Sequence, residues 1–558
     1  MVNTNFSLAA GSPKFTTSEL SRLAASQGNL AAWQQLIAQG GPEATLRVSG
    51  DFAVGFQDTS GRTFLAVDRF AIRSLCYSVV GGQLRFANRA DELADAATEI
   101  DPQSIFDYLY FHIIPSPRTI YKGIYRLPPG HYALFENGVL RILPYWVATF
   151  DEMSNPSFEG LRTEFRQLLR DAVAGQLDGS KPACFLSGGT DSSTVAGMIG
   201  EATRQRAITY SIGFEAEGYD EMEYARLAAK HFNTEHHEYY VTPDDLVRSI
   251  TRVAQHYDQP FGNSSALPAY YCAKMAQEDG VSKILAGDGG DELFGGNTRY
   301  AKQKVFGYYD AVPGLLRNAV LEPLLLKTPL GRLPLARKGA SYIEQAKVPL
   351  PDRTQSYNLI FRLGINKVFT PGFVGSIDLE EPNIQQREVW RQAQTTSQTN
   401  RELAFDWRYT LAECDLPKVV GTTQLAGINV GFPMLDDQLL AFSMRLPVAY
   451  KLKGLKLRWF FKEALRGFLP DEILTKKKQG FGLPFGVWLT RHDGLRELAS
   501  ESVHGLADRG ILRREFVDAL INKHLYEHPG YYGEMIWISM MLEQWLRGHA
   551  PGFAMNRS

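Results

Sequence analysis

Cysteine is scarce: there are four in 558 residues, Cys76, Cys184, Cys272 and Cys414, spaced too widely for a CxxC or Cys/His metal motif. That spacing indicates neither a disulfide framework nor a zinc site, and four reduced, buried thiols are expected. No uncharged run approaches membrane-spanning length, and the first ten residues carry no basic segment ahead of a long apolar stretch. Neither a spanning helix nor a secretory signal is read, so a soluble cytoplasmic protein is the expectation. An excess of one charge is also missing, with 59 Lys+Arg against 61 Asp+Glu. Nothing in that balance calls for a nucleic-acid or membrane partner. The Gly-Lys-Ser/Thr ending of a Walker A loop is absent as well.

What the chain does have is a pair of glycine-rich loops, each directly after a short apolar run. The first is Ser187-Gly-Gly-Thr-Asp-Ser-Ser193 behind Ala183-Cys-Phe-Leu186, and the second is Gly287-Asp-Gly-Gly-Asp-Glu-Leu-Phe-Gly-Gly296 behind Lys283 to Ala286. Gly188 and Gly189 let backbone approach an anion, Ser187, Ser192 and Ser193 offer hydroxyls, and Thr194 to Ile199 continues as a helix whose N-terminus faces that anion. Taken alone, the first loop also reads as a strand-to-helix turn with a Ser N-cap. One carboxylate in each loop, Asp191 and Asp291, suits Mg²⁺ carried between phosphates, because that ion keeps waters and takes only one or two protein carboxylates. Together the loops read as an ATP site.

The length is that of roughly two to four domains. Thr16-x-x-Glu19 resembles a capping box ahead of a helix running to about Ala38, before Gly40-Gly41. Short β-type runs follow at Ala44 to Val48, Phe52 to Gln57, Thr63 to Val67, Leu75 to Val80 and Gln83 to Ala87, with more between Ile120 and Trp146, as in an antiparallel sheet. A boundary is placed near Phe150 to Pro156, dividing the chain into residues 1–150 and 151–558. Beyond it, candidate strands Ala183 to Leu186, Ala207 to Ile212, His237 to Val241 and Lys283 to Ala286 alternate with helical stretches such as Glu221 to His231. That pattern predicts an α/β fold with a doubly wound parallel sheet binding its ligand at the strands' carboxyl ends. Tyr300 to Arg401, and Glu402 to Gly548 with loops, read as helical.

The first loop resembles the PP-loop of enzymes that split ATP between the α and β phosphates. The second, followed by Arg299-Tyr300, resembles the second signature of the asparagine synthetase family. Tyr210-Ser-Ile-Gly-Phe214, Tyr219-Asp-Glu221, His236-His-Glu238 and Asp258-Gln-Pro260 through Ser264-Ser265 to Pro268 continue the family pattern in order and spacing. The resemblance implies a glutaminase-like (Ntn-type) antiparallel domain ahead of a PP-loop synthetase domain with a helical C-terminal part. It also implies ATP and Mg²⁺, with Ser211, Ile212 and Phe214 at the adenine, Gly287 and Gly289 in the nucleotide loop, and Asp191 and Asp291 holding the metal. Lys476-Lys-Lys-Gln-Gly-Phe-Gly-Leu-Pro484 resembles the family's Lys-x-Gly-Phe-x-x-Pro element, making Lys478 the lysine that stabilises developing negative charge; a solvated basic run fits Lys476 and Lys477 better. Lys456 and Arg458 are further candidates for phosphate contact. Adjacent His236 and His237 point to opposite faces of a strand, which favours a structural role over a metal pair.

Two departures from the family stand out. Val2 occupies the position where glutamine-dependent members carry their nucleophilic cysteine, the glutamine-binding elements are missing, and similarity is recognisable only from Gly50-Asp-Phe-Ala-Val54 and Asp68-Arg69. Residues 1–150 therefore read as a shortened, inactive glutaminase-like domain kept for packing. In addition, Ile428-Asn-Val-Gly-Phe-Pro-Met-Leu-Asp436 stands where many members have Leu-Glu-x-Arg-x-Pro-Phe-Leu-Asp. Asn429 and Gly431 thus replace a base and a carboxylate-gripping fork in the expected acceptor pocket. Asp288 is a candidate for a polar or basic role near an amine, or simply a turn residue.

The expectation is an ATP-dependent, AMP-forming ligase joining a small-molecule or peptide carboxylate to an amine. It would act as a cyclase of the lasso-peptide or β-lactam type or as an intermolecular amide ligase, with a partner enzyme supplying substrate or ammonia as a further option. The alternatives are an asparagine synthetase fed by free ammonia or a partner glutaminase, and a non-catalytic nucleotide-binding relative. PP-loop enzymes acting on tRNA or nucleotides would need a basic surface or a nucleotide-binding insertion, and neither shows.

Overall fold

The computed structural model of the protein describes residues 7–310, 312–317, 319, 322–323, 342–476 and 482–555. The early strand-like runs pair antiparallel in two layers. Strands β1 (Ser7–Gly11), β2 (Phe52–Gln57), β3 (Thr63–Val67), β4 (Cys76–Val80), β5 (Gln83–Ala87), β6 (Ile124–Arg126), β7 (His131–Glu136) and β8 (Val139–Pro144) make one sheet ordered β1-β2-β3-β7-β8 and another ordered β5-β4-β6. Successive side chains of a strand face opposite ways, and β2 uses both faces. Phe52, Val54 and Phe56 pack under Trp33 and Leu36, while Ala53 joins Leu65, Tyr77 and Phe86 between the sheets.

Two local expectations fail here. The single helix to Ala38 is two, α1 (Ser18–Gln27) and α2 (Asn29–Gly40), because Gly28 sits at φ +91 between them; the cap on Leu20 N comes from Thr17 at 3.3 Å, not Thr16. The run Ala44 to Val48 is mostly a 3₁₀ turn, Pro42–Arg47, started by Pro42 and held by the Thr45 hydroxyl donating to Pro42 O at 2.6 Å.

Helix α3 (Pro102–Phe111) joins this region to the rest of the chain. Phe106 and Tyr108 lie in one apolar cluster with Trp537 and Trp545 of the C-terminal helix Pro529–His549, and the Tyr108 hydroxyl donates to Ile538 O at 2.8 Å. At the opposite side Arg69 pairs with Asp437 at 2.7 Å. Phe70 and Trp146 each lie within ring-contact distance of Trp407, with centroids 6.3 Å away in both cases.

The second half is built on a parallel sheet of β9 (Ala183–Phe185), β10 (Ile208–Phe214), β11 (Glu235–Val241), β12 (Lys283–Leu285) and β13 (Asn429–Gly431). The spatial order is β11-β10-β9-β12-β13, so the winding reverses between β9 and β12. A crevice opens at the carboxyl ends of strands at such a reversal, and both glycine loops leave from those two strands. The doubly wound α/β expectation agrees with this sheet. The fifth strand, β13, lies inside a stretch read as helical with loops. Of Tyr300 to Arg401, the described part includes helices Thr298–Asp310 and Glu381–Gln392; residues 311, 318, 320–321 and 324–341 lie outside the described residues.

Candidate functional site

The first loop turns from β9 into α4 (Thr190–Thr203) with Gly188 at φ +70, where a Cβ would lie 2.5 Å from Ala225 N. Gly189 is the N-cap and gives no side-chain hydrogen bond, so the first helical amides face the crevice. The serines brace the loop: the Ser192 hydroxyl accepts from Ser187 N at 3.1 Å and lies 3.0 Å from the Ser187 hydroxyl. Ser211 of β10 donates its hydroxyl to Leu186 O, tying the neighbouring strand to the loop.

The second loop reaches the first through missing side chains. A Cβ on Gly287 would stand 2.8 Å from Ser192 N, one on Gly290 2.1 Å from Asp191 Oδ1, and one on Gly296 1.8 Å from Asp291 Oδ1. Glycine is therefore what lets the two carboxylates approach one point. At that point sits Arg458, which follows the hairpin Leu452–Lys453/Lys456–Leu457 and donates to Asp191 Oδ2 at 2.8 Å, Asp291 Oδ1 at 2.7 Å and Thr190 Oγ1 at 2.8 Å. Its second terminal nitrogen also bonds Asp191, and the guanidinium carbon lies 3.8 Å from the Phe461 ring centroid. Burial alone would lower the Arg458 pKa, but Asp191 and then Asp291 outweigh it and raise it. Neighbouring Lys462 is pushed down, by burial first and then by Arg458.

The cavity between these loops measures about 1130 Å³, above the roughly 300–1,000 Å³ of a single ligand pocket and so of a size for a nucleotide and a second substrate together. Ser187, Gly189, Asp191, Ser192, Ser211, Ile212, Gly287, Asp288, Gly289 and Asp291 all line it. Gly188, Ser193 and Phe214 do not. Gly188 packs against the backbone of Tyr224 and Ala225, Ser193 is fully buried on α4, and Phe214 sits edge-on to Trp488 in the core. Lys477 and Lys478 lie outside the described residues. Lys476 is no solvated residue: it is 9% exposed, pairs with Glu221 at 2.9 Å and stands over the Tyr224 ring. His236 hydrogen-bonds Thr209 Oγ1 at 2.9 Å and His237 stacks on Tyr210. Among the described residues no three His, Cys, Asp or Glu side chains group as a metal site.

The expected acceptor pocket is elsewhere. Parallel pairing sets Asn429 opposite Lys283, at the amino end of the strands, and Gly431 opposite Leu285, with Gln176 filling the space beside it. Neither residue lines the cavity. The wall beyond Asp288 comes instead from the π-helical stretch Trp407–Asp415 and helix α5 (Leu416–Ala426). Thr410 and Asp415 are five apart, a spacing that falls on one face only in a helix wound i→i+5, and both line the cavity with Lys418. Lys418 lies 3.1 Å from Asp415 and 3.5 Å from Asp288. Burial raises the Asp288 pKa while Lys418 opposes it; burial would lower that of Lys418, but Asp415 and Asp288 raise it. Sequence reasoning missed Lys418, Asp415 and Thr410, since periodicity of 3.6 hides a π-helical face.

A nucleotide with Mg²⁺ fits this donor set. The loops converge two carboxylates on one point beside open helix amides, and two carboxylates plus phosphate oxygens are what magnesium takes. These features define a doubly wound α/β protein with an anion-cradling, acid-paired crevice at its topological switch point, the class of nucleotide-dependent ligases built on a PP-loop. The asparagine synthase family model matches residues 164–547 and the glutamine amidotransferase domain model residues 26–146. The chain belongs to the asparagine synthase family, and membership makes it an ATP-dependent ligase. It is similar to asparagine synthetase [glutamine-hydrolyzing] 1 of Bacillus subtilis, 24% identical over 90% of this chain and 78% of that one. A putative glutamine-hydrolyzing asparagine synthetase of Mycobacterium bovis is 27% identical over 90% and 77%, and the amidase chyE of Penicillium rubens 23% over 79% and 70%. The amidotransferase match begins well before Gly50, where motifs first became recognisable. No helix among the described residues is long and apolar enough to cross a membrane.

Proposed function

We propose that the protein is an AMP-forming amide ligase that adenylates a substrate carboxylate and transfers the acyl group to an amine without a glutaminase of its own. The observation that carries this reading is the convergence of Asp191 and Asp291, from loops 100 residues apart, on one point of a cavity large enough for two substrates. ATP is the co-substrate. Asp191 and Asp291 would hold its magnesium, which supplies charge neutralisation on the departing pyrophosphate. The α4 amides receive phosphate oxygens, and Ser211 and Ile212 form the floor beside the base.

A carboxylate oxygen attacks the α-phosphorus as the bond to pyrophosphate breaks. The amine nitrogen then attacks the acyl carbon, AMP leaves, and the nitrogen's proton passes to a base. In this reading Asp288, which pairs with Lys418, takes that proton, and Lys478 is assigned to charge stabilisation from the family element alone. Residues 1–150 serve as a packing domain in this reading. Their single cysteine, Cys76, lies in the core on β4 with its thiol pushed up to about 12 by burial, unsuited to take an amide.

ATP–pyrophosphate exchange across a panel of carboxylates, including aspartate and a precursor peptide encoded beside the gene, tests the reading. Exchange with at least one is expected; Mg-ATP binding with no exchange across the panel would overturn it. A second reading, asparagine formation from free ammonia or a partner glutaminase, gains from Asn429 and Gly431 lying off the cavity. Exchange with aspartate followed by asparagine release would select it over a lactam-forming cyclase or an intermolecular ligase for another amine.

A further inference from the structure

The π-helical stretch Trp407–Asp415 carries two pairs of residues five apart, and each pair has its own neighbour. Thr410 and Asp415 line the catalytic cavity. On that side the second glycine loop braces the stretch: Trp407 Nε1 donates to Glu292 O at 2.9 Å and Arg299 to Thr410 Oγ1 at 2.9 Å. The other pair, Arg408 and Glu413, is joined at 2.7 Å and meets Ser116, a residue of the N-terminal half between α3 and β6. The Ser116 hydroxyl donates to Glu413 Oε1 at 2.6 Å and its amide donates to the same oxygen at 3.2 Å. Arg408 donates in return to Ser116 O at 2.6 Å.

This grip is buried, with the Glu413 side chain 3% exposed and Ser116 1%. A buried carboxylate is tolerated only when it is paired and hydrogen-bonded, and two of the hydrogen bonds to Glu413 come from Ser116. Arg126 of β6 adds a cation 3.9 Å from the second Glu413 oxygen. Residues five apart share a face only under i→i+5 winding. A contact that needs Arg408 and Glu413 together therefore selects the same winding that brings Thr410 and Asp415 together.

We propose that Ser116 is a positioning residue: by gripping Arg408 and Glu413 at once it holds the π-helical winding, so that residues 1–150 set the places of Thr410, Asp415 and Lys418 in the cavity. Lys418 follows because it lies 3.1 Å from Asp415. The N-terminal half then does more than pack against the synthetase half, since the cavity wall is completed by its serine. This inference rests on the reading of that wall as the amine side of the proposed ligase.

Lys418 reports the winding without any substrate. Burial would lower its pKa, and Asp415 and then Asp288 raise it, which keeps the amine protonated and unreactive. Trace labelling of the full-length protein with acetic anhydride, read by peptide mass spectrometry, measures that state, because the reagent takes only the neutral amine. In Ser116→Ala, Asp415 should leave Lys418 and labelling of Lys418 should rise about tenfold, the consequence of a pKa lower by about one unit. Arg408→Met removes the other half of the grip and should give the same rise. Lys451, fully buried and bonded to Asn400, should stay as it is in the unaltered protein.

Unchanged labelling of Lys418 in both variants overturns the proposal. A rise shared by Lys451 would mean that Ser116 only holds the fold together, and overturns it as well. Neither ATP nor the unidentified carboxylate enters the measurement. Failure of exchange across the carboxylate panel with the Lys418 response intact would remove the adenylation reading and leave Ser116 in its role.

Discussion

Lys418 is the partner of Asp288, its ammonium 3.5 Å from one carboxylate oxygen and 3.1 Å from that of Asp415. A turn residue of the second glycine loop is thereby drawn into an ionic cluster on the substrate wall, and its charge depends on a lysine more than a hundred residues away. Removing the lysine should leave the buried Asp288 harder to ionise, since burial already raises its pKa and Lys418 is what opposes that.

Lys418→Met is accordingly expected to shift the acidic limb of amide formation toward higher pH and to lower capture of the amine near neutrality by about tenfold or more. Exchange of pyrophosphate, which precedes the amine, should keep its pH profile. Parallel pH–rate profiles of the two reactions check this. A common shift would mean that Lys418 serves adenylation.

Asp191→Asn should depress ATP–pyrophosphate exchange by about 10²–10³, the scale for losing one electrostatic contact to a transition state. The circular dichroism spectrum should stay unchanged, because α4 and β9 do not depend on the carboxylate for packing. Exchange at the unaltered rate would remove Asp191 from the magnesium site.

Gly290→Ala tests the closeness of the loops. The added methyl would sit 2.1 Å from an Asp191 oxygen, so that carboxylate must leave its place. The expected result is loss of Mg-ATP binding by calorimetry, as large as that of Asp191→Asn, although no charge has been altered.

Lys451 gives a stability prediction apart from the chemistry. Its ammonium donates to Asn400 Oδ1 at 2.9 Å and stands over the Phe150 ring, yet burial lowers its pKa from 10.5 to about 7, with Glu152 opposing. Between about pH 7 and 10.5 the unfolded chain binds more protons than the folded one, so stability rises with pH across that window and is lowest below it. Lys451→Met should flatten that slope. Urea melts at pH 6, 7.5 and 9 measure it, and equal slopes for the two proteins would contradict the burial argument.

The two converging glycine loops were legible because their determinants are local. Gly188, Asp191, Gly287 and Asp291 lie in short runs whose strand–loop–helix order can be read from residue types alone. Strands β2, β3 and β5 were placed to the residue for the same reason, each bounded by Gly, Asp or Ser. The substrate wall was not legible, because Thr410 and Asp415 share a face only under π-helical winding, and Lys418 meets Asp288 only through the tertiary fold. Asn429 and Gly431 misled for a related cause. Their alignment to a family element was read as a pocket, whereas Asn429 lies opposite Lys283 at the amino end of the strands and neither residue lines the cavity. The break at Gly28 needed a φ value that no apolar pattern reveals.

The glycines that press the two loops together have a consequence for altering the enzyme. A floor with no room for one methyl tolerates almost no replacement, so diversity introduced there yields inactive protein rather than new selectivity. The opposite wall is built from side chains of the π-helical stretch Trp407–Asp415 and helix α5. Thr410, Asp415 and Lys418 line that wall, and a library confined to these three positions is where a change of acceptor should be sought.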